Sequence, residues 1–190
     1  MNNINQVISW YYYQRTGWVI VDQHNQQLER PLLPVEFLKM SFEECIILRH
    51  PECNYYQDLE LDSSEIVGHI SQIVYFCGHL PVCKKFNNDQ AFIIAKTNVE
   101  KYYSVVGITE EMNNTLKVME NVLPQFFSGI LQMYQNDKTK VNENHLKPAI
   151  SGEVKLLLRT NFTFEIQFYE FCKKRLQRQL TSLKISNTLE

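Results

Sequence analysis

No stretch of this sequence approaches the roughly 18 consecutive apolar residues that a membrane-spanning helix needs. The opening residues, Met1 to Gln6, lack the basic segment and following apolar segment of a secretory signal, which taken literally points to the cytosol. Charge of one sign is also missing. Nineteen Lys and Arg stand against 21 Asp and Glu, for a net charge of −2, so no global field selects nucleic acid or a membrane surface as partner. There is no GxxxxGK[ST], GxGxxG, HExxH or GxSxG pattern, which leaves the nucleotide, zinc-protease and serine-hydrolase signatures unsupported. The five histidines (His24, His50, His69, His79 and His145) are scattered, with no metal-ligand spacing. Internal repeats and low-complexity tracts are lacking too.

What is present describes a globular domain. The 190 residues are 44% hydrophobic and 12% aromatic, enough to bury a sizeable core in one unit. Charge is unevenly spread. Residues 36–65 hold eight acids and two bases, whereas Asp137 to Lys184 holds ten bases and five acids. A basic C-terminal third can face an anionic ligand or form a solvated helix face. Cys45 and Cys53 are eight apart and Cys77 and Cys83 six apart, each pair bracketing a loop with Pro or Gly. Such spacing suits local disulfides, Cys45–Cys53 and Cys77–Cys83, which persist in oxidising compartments. A zinc site from Cys77, Cys83, His79 and His50 and a set of buried thiols are the alternatives, the former without the usual C-x2-4-C spacing. Cys172 reads as a core thiol. Two sequons, at Asn113 and Asn161, add to the lumenal reading.

Apolar spacing at Ile4, Val7, Ile8 and Tyr11 predicts a helix over residues 4–15, ending near Gly17. Residues 18–40, with Pro31 and Pro34, read as an excursion. Ser41 and Glu44 form a capping-box pattern opening a short helix. Residues 52–65, and 78–86 closed by Cys77 and Cys83, read as loops. A helix is expected over 88–101, with Ala91, Ile94, Ala95 and Val99 inward. Tyr103 to Ile108 is a continuous apolar run bounded by glycine, which suits a buried parallel strand. Thr109 is the expected cap of the next helix, which continues through 115–123. Pro124 interrupts it, and another helix is expected over 125–135. Asp137 to Lys147 reads as a polar loop, and Ser151 to about Leu180 as one helix with Phe168, Cys172, Leu176 and Leu180 on one face.

Several of these stretches resemble the heparan sulfate and uronyl 2-O-sulfotransferase family. Ser9-Trp10-Tyr11-Tyr12-Tyr13-Gln14-Arg15-Thr16-Gly17 is similar to its S-Y-Y-Y-x-x-R-x-G segment. Ser41-Phe42-Glu43-Glu44-Cys45 through Pro51-Glu52-Cys53 resembles its F-x-E-C…E-C loop, in the P-E-C form of the uronyl and pipe-like branch. Tyr75-Phe76-Cys77-Gly78-His79 with Cys83 is similar to its F-C-G-x…C loop. Ala95-Lys96-Thr97-Asn98, Val106-Gly107-Ile108-Thr109-Glu110-Glu111-Met112 and Leu123-Pro124-Gln125-Phe126-Phe127-Ser128-Gly129 follow in family order. Glu165 to Phe171 then resembles its E-x-E-F-Y-E-F helix.

The resemblance implies a P-loop-NTPase-like α/β fold that binds 3′-phosphoadenosine 5′-phosphosulfate (PAPS). Residues 1–190 are then a single partial domain, the C-terminal part, mainly helical with little sheet. It implies sulfate transfer to the 2-hydroxyl of a uronic acid in heparan or dermatan/chondroitin sulfate, without a metal. Ser9 matches the serine that grips the 3′-phosphate. The arginine paired with it is replaced within Met1-Asn2-Asn3, and Gln6 replaces a further arginine. The donor loop and the catalytic histidine of the family lie upstream of Met1, so residues 1–190 alone are expected not to transfer sulfate. Pro148 and Lys155 match the lysine-rich loop over PAPS, while His145 and Leu146 stand at two lysine positions. His145 and Lys147 are therefore the implied nucleotide contacts, and Arg30 an implied acceptor contact. A Golgi-lumenal, type II membrane-anchored whole protein and a homo-oligomer are further implications. The alternative is a non-catalytic glycosaminoglycan-binding or partner subunit of the secretory pathway.

Overall fold

Apolar side chains spaced three and four apart set most of the elements in the computed structural model, which describes residues 3–15, 38–61, 71–137 and 148–186. Helix α1 (Asn3–Gln14) buries Ile4, Val7, Ile8 and Tyr11, the expected stripe. Helix α2 (Phe42–Ile47) starts at Ser41. Its hydroxyl accepts from the Glu44 N–H at 3.1 Å, and the Glu44 carboxylate accepts from the Ser41 N–H at 2.8 Å, the expected capping box. Helix α3 (Ile73–Cys77) is too short for a helical period to show in sequence. Helix α4 (Asp89–Tyr102) is capped by Asn88, whose side chain accepts from the Ala91 N–H, and it buries Ala91, Ala95 and Val99. Ile94, also expected inward, is half-buried.

Residues 103–108 do not form the expected strand. Their backbone is extended at Tyr103 (φ −109°, ψ 113°) and Ile108 (φ −117°, ψ 119°). A strand needs a neighbour to complete its ladder. Among the described residues the only pairing of this kind is one isolated antiparallel bridge, Glu60 to Lys85. Ile108 is buried, but Tyr103, Ser104 and Gly107 are exposed. The described residues are thus helical, which agrees with a mainly helical remainder and gives no sheet.

Thr109 does not cap the next helix either. Residues Thr109–Glu111 make a 3-10 turn, and α5 (Met112–Val122) begins without a side-chain cap. The Thr109 hydroxyl donates to the neighbouring Glu110 carboxylate instead, at 3.0 Å. Thr115 does the anchoring: its buried hydroxyl donates to the Ile108 carbonyl at 3.0 Å and accepts from the Ile108 N–H at 2.9 Å. This close approach explains Gly107, where a Cβ would collide with the Thr115 methyl group.

The helix expected over 125–135 is split into α6 (Pro124–Phe127) and α7 (Ile130–Asn136). Gly129 lies between them in the left-handed region (φ 78°), which ends a helical run. The long C-terminal helix is likewise two, α8 (Gly152–Asn161), capped by Ser151, and α9 (Thr163–Ser186). Phe162, at φ −110° and ψ 27°, makes the break. It is fully buried between Tyr55 and Phe86, with ring centroids at 5.2 and 4.8 Å. Val154, Leu158 and Phe162 belong to one core cluster, with α1 and α2. Phe168, Cys172, Leu176 and Leu180 belong to a second, with α3, α4 and α5. The bend at Phe162 lets one stretch of chain supply both.

Both disulfides are formed. Cys45 and Cys53 have Cα atoms 5.8 Å apart, and Cys77 and Cys83 5.5 Å apart, ordinary separations for such bonds. Their sulfurs are therefore not thiolate ligands, which removes the zinc alternative and the alternative of buried thiols. Cys172 is free and buried.

Candidate functional site

Arg15, at the end of α1, is the first residue whose role emerges only in three dimensions. Its side chain is 5% exposed and forms a fork with Glu52, Nη2 to Oε2 at 2.7 Å and Nη1 to Oε1 at 3.3 Å. The guanidinium also lies 3.4 Å from the centre of the Tyr11 ring, and Nη1 donates to the Tyr11 carbonyl. A planar cation suits both contacts. Glu52 neighbours Cys53, so α1 is tied to the Cys45–Cys53 loop through an ion pair. Tyr11 adds a bond from its hydroxyl to the Met40 carbonyl at 3.0 Å, and the Tyr12 hydroxyl accepts from the Phe42 N–H at 3.2 Å. Burial pushes the Tyr11 phenol up to about 12, with Arg15 opposing and Glu52 reinforcing, so it remains a donor at neutral pH.

A second junction forms around Glu165, in the first turn of α9. This fully buried carboxylate accepts from the Ser71 hydroxyl and from the backbone N–H groups of Gln72 (2.9 Å) and Ile73 (3.4 Å). It thereby satisfies donors at the start of α3, where a negative charge is favoured. Gln72 donates in turn to the Gln6 side chain of α1 at 2.7 Å. At the other end of α3, the Asn98 amide of α4 donates to the Phe76 and Cys77 carbonyls at 2.9 and 3.1 Å.

Beside this junction is a cavity of about 440 Å³. Gln6, Gln72 and Tyr75 line it together with residues 106–109 and with Phe168, Tyr169 and Cys172 of α9. Burial first, then the charge of Glu110, raises the Tyr169 phenol to about 12, and burial raises the Cys172 thiol to about 12. Both are protonated at neutral pH. The described lining residues include no histidine and no carboxylate. They can bind and orient a ligand, and they hold no general base.

Ser9 lies one turn beyond Gln6 on α1 and is half-buried. It is not among the described residues that line the cavity. Arg30, His145 and Lys147 lie outside the described residues, as do most of the 18–40 excursion, the end of the acidic loop and most of the 137–147 loop. Asn113 is exposed in the first turn of α5. Asn161 is half-buried, and its amide donates to the Tyr55 carbonyl at 2.8 Å. Cys45, His50 and Glu52 come within 4.8 Å of one another, but Cys45 is disulfide-bonded and Glu52 is engaged by Arg15. Arg15, Glu52 and Glu165 stand within the family-like motifs, but nothing in those motifs identifies their partners. Those partners sit 37 and 94 residues away, beyond any local period.

No family model matches the chain. Individual relatives do. The uronyl 2-sulfotransferase homolog pip of Drosophila melanogaster is 36% identical over 187 residues, covering 95% of this chain and 36% of that protein. Human uronyl 2-sulfotransferase is 29% identical over 90% of the chain and 40% of its own length. Mouse heparan sulfate 2-O-sulfotransferase 1 is 30% identical over 92% of the chain and 45% of its own length. The chain therefore spans less than half the length of these relatives.

Proposed function

This chain is a homologue of the uronyl and heparan sulfate 2-O-sulfotransferases, and on that premise we propose that it serves PAPS-dependent transfer of sulfate to the 2-hydroxyl of a uronic acid in heparan or dermatan/chondroitin sulfate. One observation carries the reading: the 36% identity to a named relative extends over 95% of the chain. Ser9 is the residue assigned to the 3′-phosphate, with a hydroxyl that can donate to a phosphate oxygen. His145 and Lys147 are assigned to the nucleotide and Arg30 to the acceptor. Transfer of a sulfuryl group relies on positioning and on cations around the moving charge. In this reading Tyr103–Ile108 takes up a place in a parallel sheet of a P-loop-like fold once a neighbouring strand pairs with it. The two disulfides support a Golgi-lumenal setting, with Asn113 and Asn161 as glycan acceptors, in a membrane-anchored, oligomeric whole protein.

Residues 1–190 by themselves are proposed to bind nucleotide without turning it over, since the described cavity lining holds no base. The test is to incubate this polypeptide with PAPS and desulfated heparan or dermatan and to measure 2-O-sulfated uronic acid. Turnover above background overturns the inactive reading. Nucleotide binding is followed with 3′-phosphoadenosine 5′-phosphate, and Ser9→Ala is expected to weaken it about tenfold or more, the loss of a bond to a charged group. The lack of a base among the described lining residues also favours a second reading, a non-catalytic glycosaminoglycan-binding or partner subunit. Retention on heparin with no affinity for the nucleotide selects that one.

A further inference from the structure

The cations of the C-terminal third are not spread evenly around α9. Of the run Lys173-Lys174-Arg175, Arg175 turns inward: it is 11% exposed, pairs with Glu100 at 3.2 Å and donates to the Tyr103 carbonyl at 2.6 Å. Lys173, Lys174 and Arg178 instead line an open groove of about 1150 Å³ along α4 and α9, joined by Lys96 from α4. The Lys96 ammonium lies 4.9 Å from the Phe92 ring centre and 5.2 Å from that of Phe171, so two aromatic rings hold it at the groove wall. Glu170 is the sole acid among the described lining residues. Lys173 and Arg178 do reach carboxylates, those of Glu111 (3.4 Å) and Glu100 (3.3 Å). The Arg178–Glu100 pair is exposed and of small net value, so an incoming anion can replace it, whereas Glu111 is half-buried. None of these residues lines the cavity beside α1.

We propose that this groove is a binding site for a linear polyanionic saccharide, separate from the α1 cavity. Cations from two helices meet sulfate or carboxylate groups along such a chain, while Phe92 and Phe171 offer apolar surface to sugar faces. The choice of a sulfated saccharide rests on the sulfotransferase reading; the groove and its charge do not.

The experiment uses residues 1–190 and a fluorescent heparin octasaccharide, titrated at several salt concentrations. Removing the two groove cations that have no acidic partner among the described residues, Lys96→Gln with Lys174→Gln, is expected to raise Kd about tenfold and to lower the slope of log affinity against log salt by about two, as for lost contacts to any polyanion. Lys84→Gln with Lys101→Gln removes equal charge outside the groove and is expected to change Kd less than twofold. Equal losses in both double variants, or no loss in the first, overturn the site. A charge-matched polyphosphate that binds as tightly and depends equally on Lys96 and Lys174 overturns the saccharide assignment. Circular dichroism checks that the variants fold. Affinity for 3′-phosphoadenosine 5′-phosphate, measured on the same samples, is expected to survive the groove substitutions. Its absence from the unaltered chain, with heparin binding intact, rejects nucleotide binding by residues 1–190, selects the non-catalytic reading and leaves the groove standing.

Discussion

Arg15 and Glu52, 37 residues apart, meet through a two-pronged contact at 2.7 and 3.3 Å, with the guanidinium resting on the Tyr11 ring. Each belongs to a different motif shared in outline with the 2-O-sulfotransferases. The pair joins the helix that carries Ser9 to the loop closed by Cys45 and Cys53. Its value lies in what happens when one partner is lost, because the other charge stays in a poorly solvated place.

Arg15→Ala is therefore expected to lower unfolding stability by about 3 kcal/mol, the lower end for a broken buried pair because Glu52 keeps some exposure. Arg15→Lys should recover only part of it, since a lysine has neither the fork nor the flat stacking face. Urea denaturation of the single variants and of the double variant with Glu52→Gln measures the coupling. Additive losses would show that the pair contributes nothing as a pair.

The cysteines give a count that is simple to check. The sequence has five, four of them in disulfides and Cys172 buried. Thiol titration should find almost none in the native protein, one after denaturation and five after denaturation with reductant. Opening either disulfide, with Cys45→Ser/Cys53→Ser or Cys77→Ser/Cys83→Ser, is expected to cost about 2–3 kcal/mol from the freed unfolded chain. Denaturant midpoints with matched variants measure it.

Gly107 is a steric requirement rather than a turn. An added methyl at Gly107→Ala would press on the Thr115 methyl group, whose hydroxyl holds both backbone groups of Ile108. The expected loss is about 1–3 kcal/mol, as for overpacking elsewhere. Thr115→Ser removes the obstructing methyl and keeps the hydroxyl, so it should rescue Gly107→Ala. Thermal melts of the single and double variants decide the point.

Stability should fall at alkaline pH. The Cys172 thiol is raised from 9.0 to about 12, and the Tyr11 and Tyr169 phenols from 10.0 to about 12, in each case chiefly by burial. Between those limits the unfolded chain sheds protons that the folded chain keeps, so rising pH favours unfolding. The contribution is intact below pH 9 and is lost progressively from 9 to 12, thiol first. Melting temperature against pH measures the fall, and Cys172→Ala should flatten its onset while leaving the tyrosine part.

Sequence alone determined what depends on neighbours along the chain. The stripe Ile4, Val7, Ile8 and Tyr11, the Ser41–Glu44 capping box and the inward alanines of α4 are all set by residues within two turns. The disulfide loops are equally local, with separations of eight and six residues. Family motifs were legible for the same reason, as short ordered strings. Tertiary structure decided everything that needed a distant partner. Tyr103–Ile108 has the composition of a buried strand and stays without a ladder among the described residues, because β structure is a property of two segments rather than one. At Phe162 an otherwise continuous helical pattern bends, so that Val154, Leu158 and Phe162 join one core cluster and Phe168, Cys172, Leu176 and Leu180 the other. Glu165 reads as an ordinary helix acid until Ser71 and the start of α3 arrive from 94 residues away. A carboxylate with donors is favourable and one without is costly, and only the folded chain brings the donors.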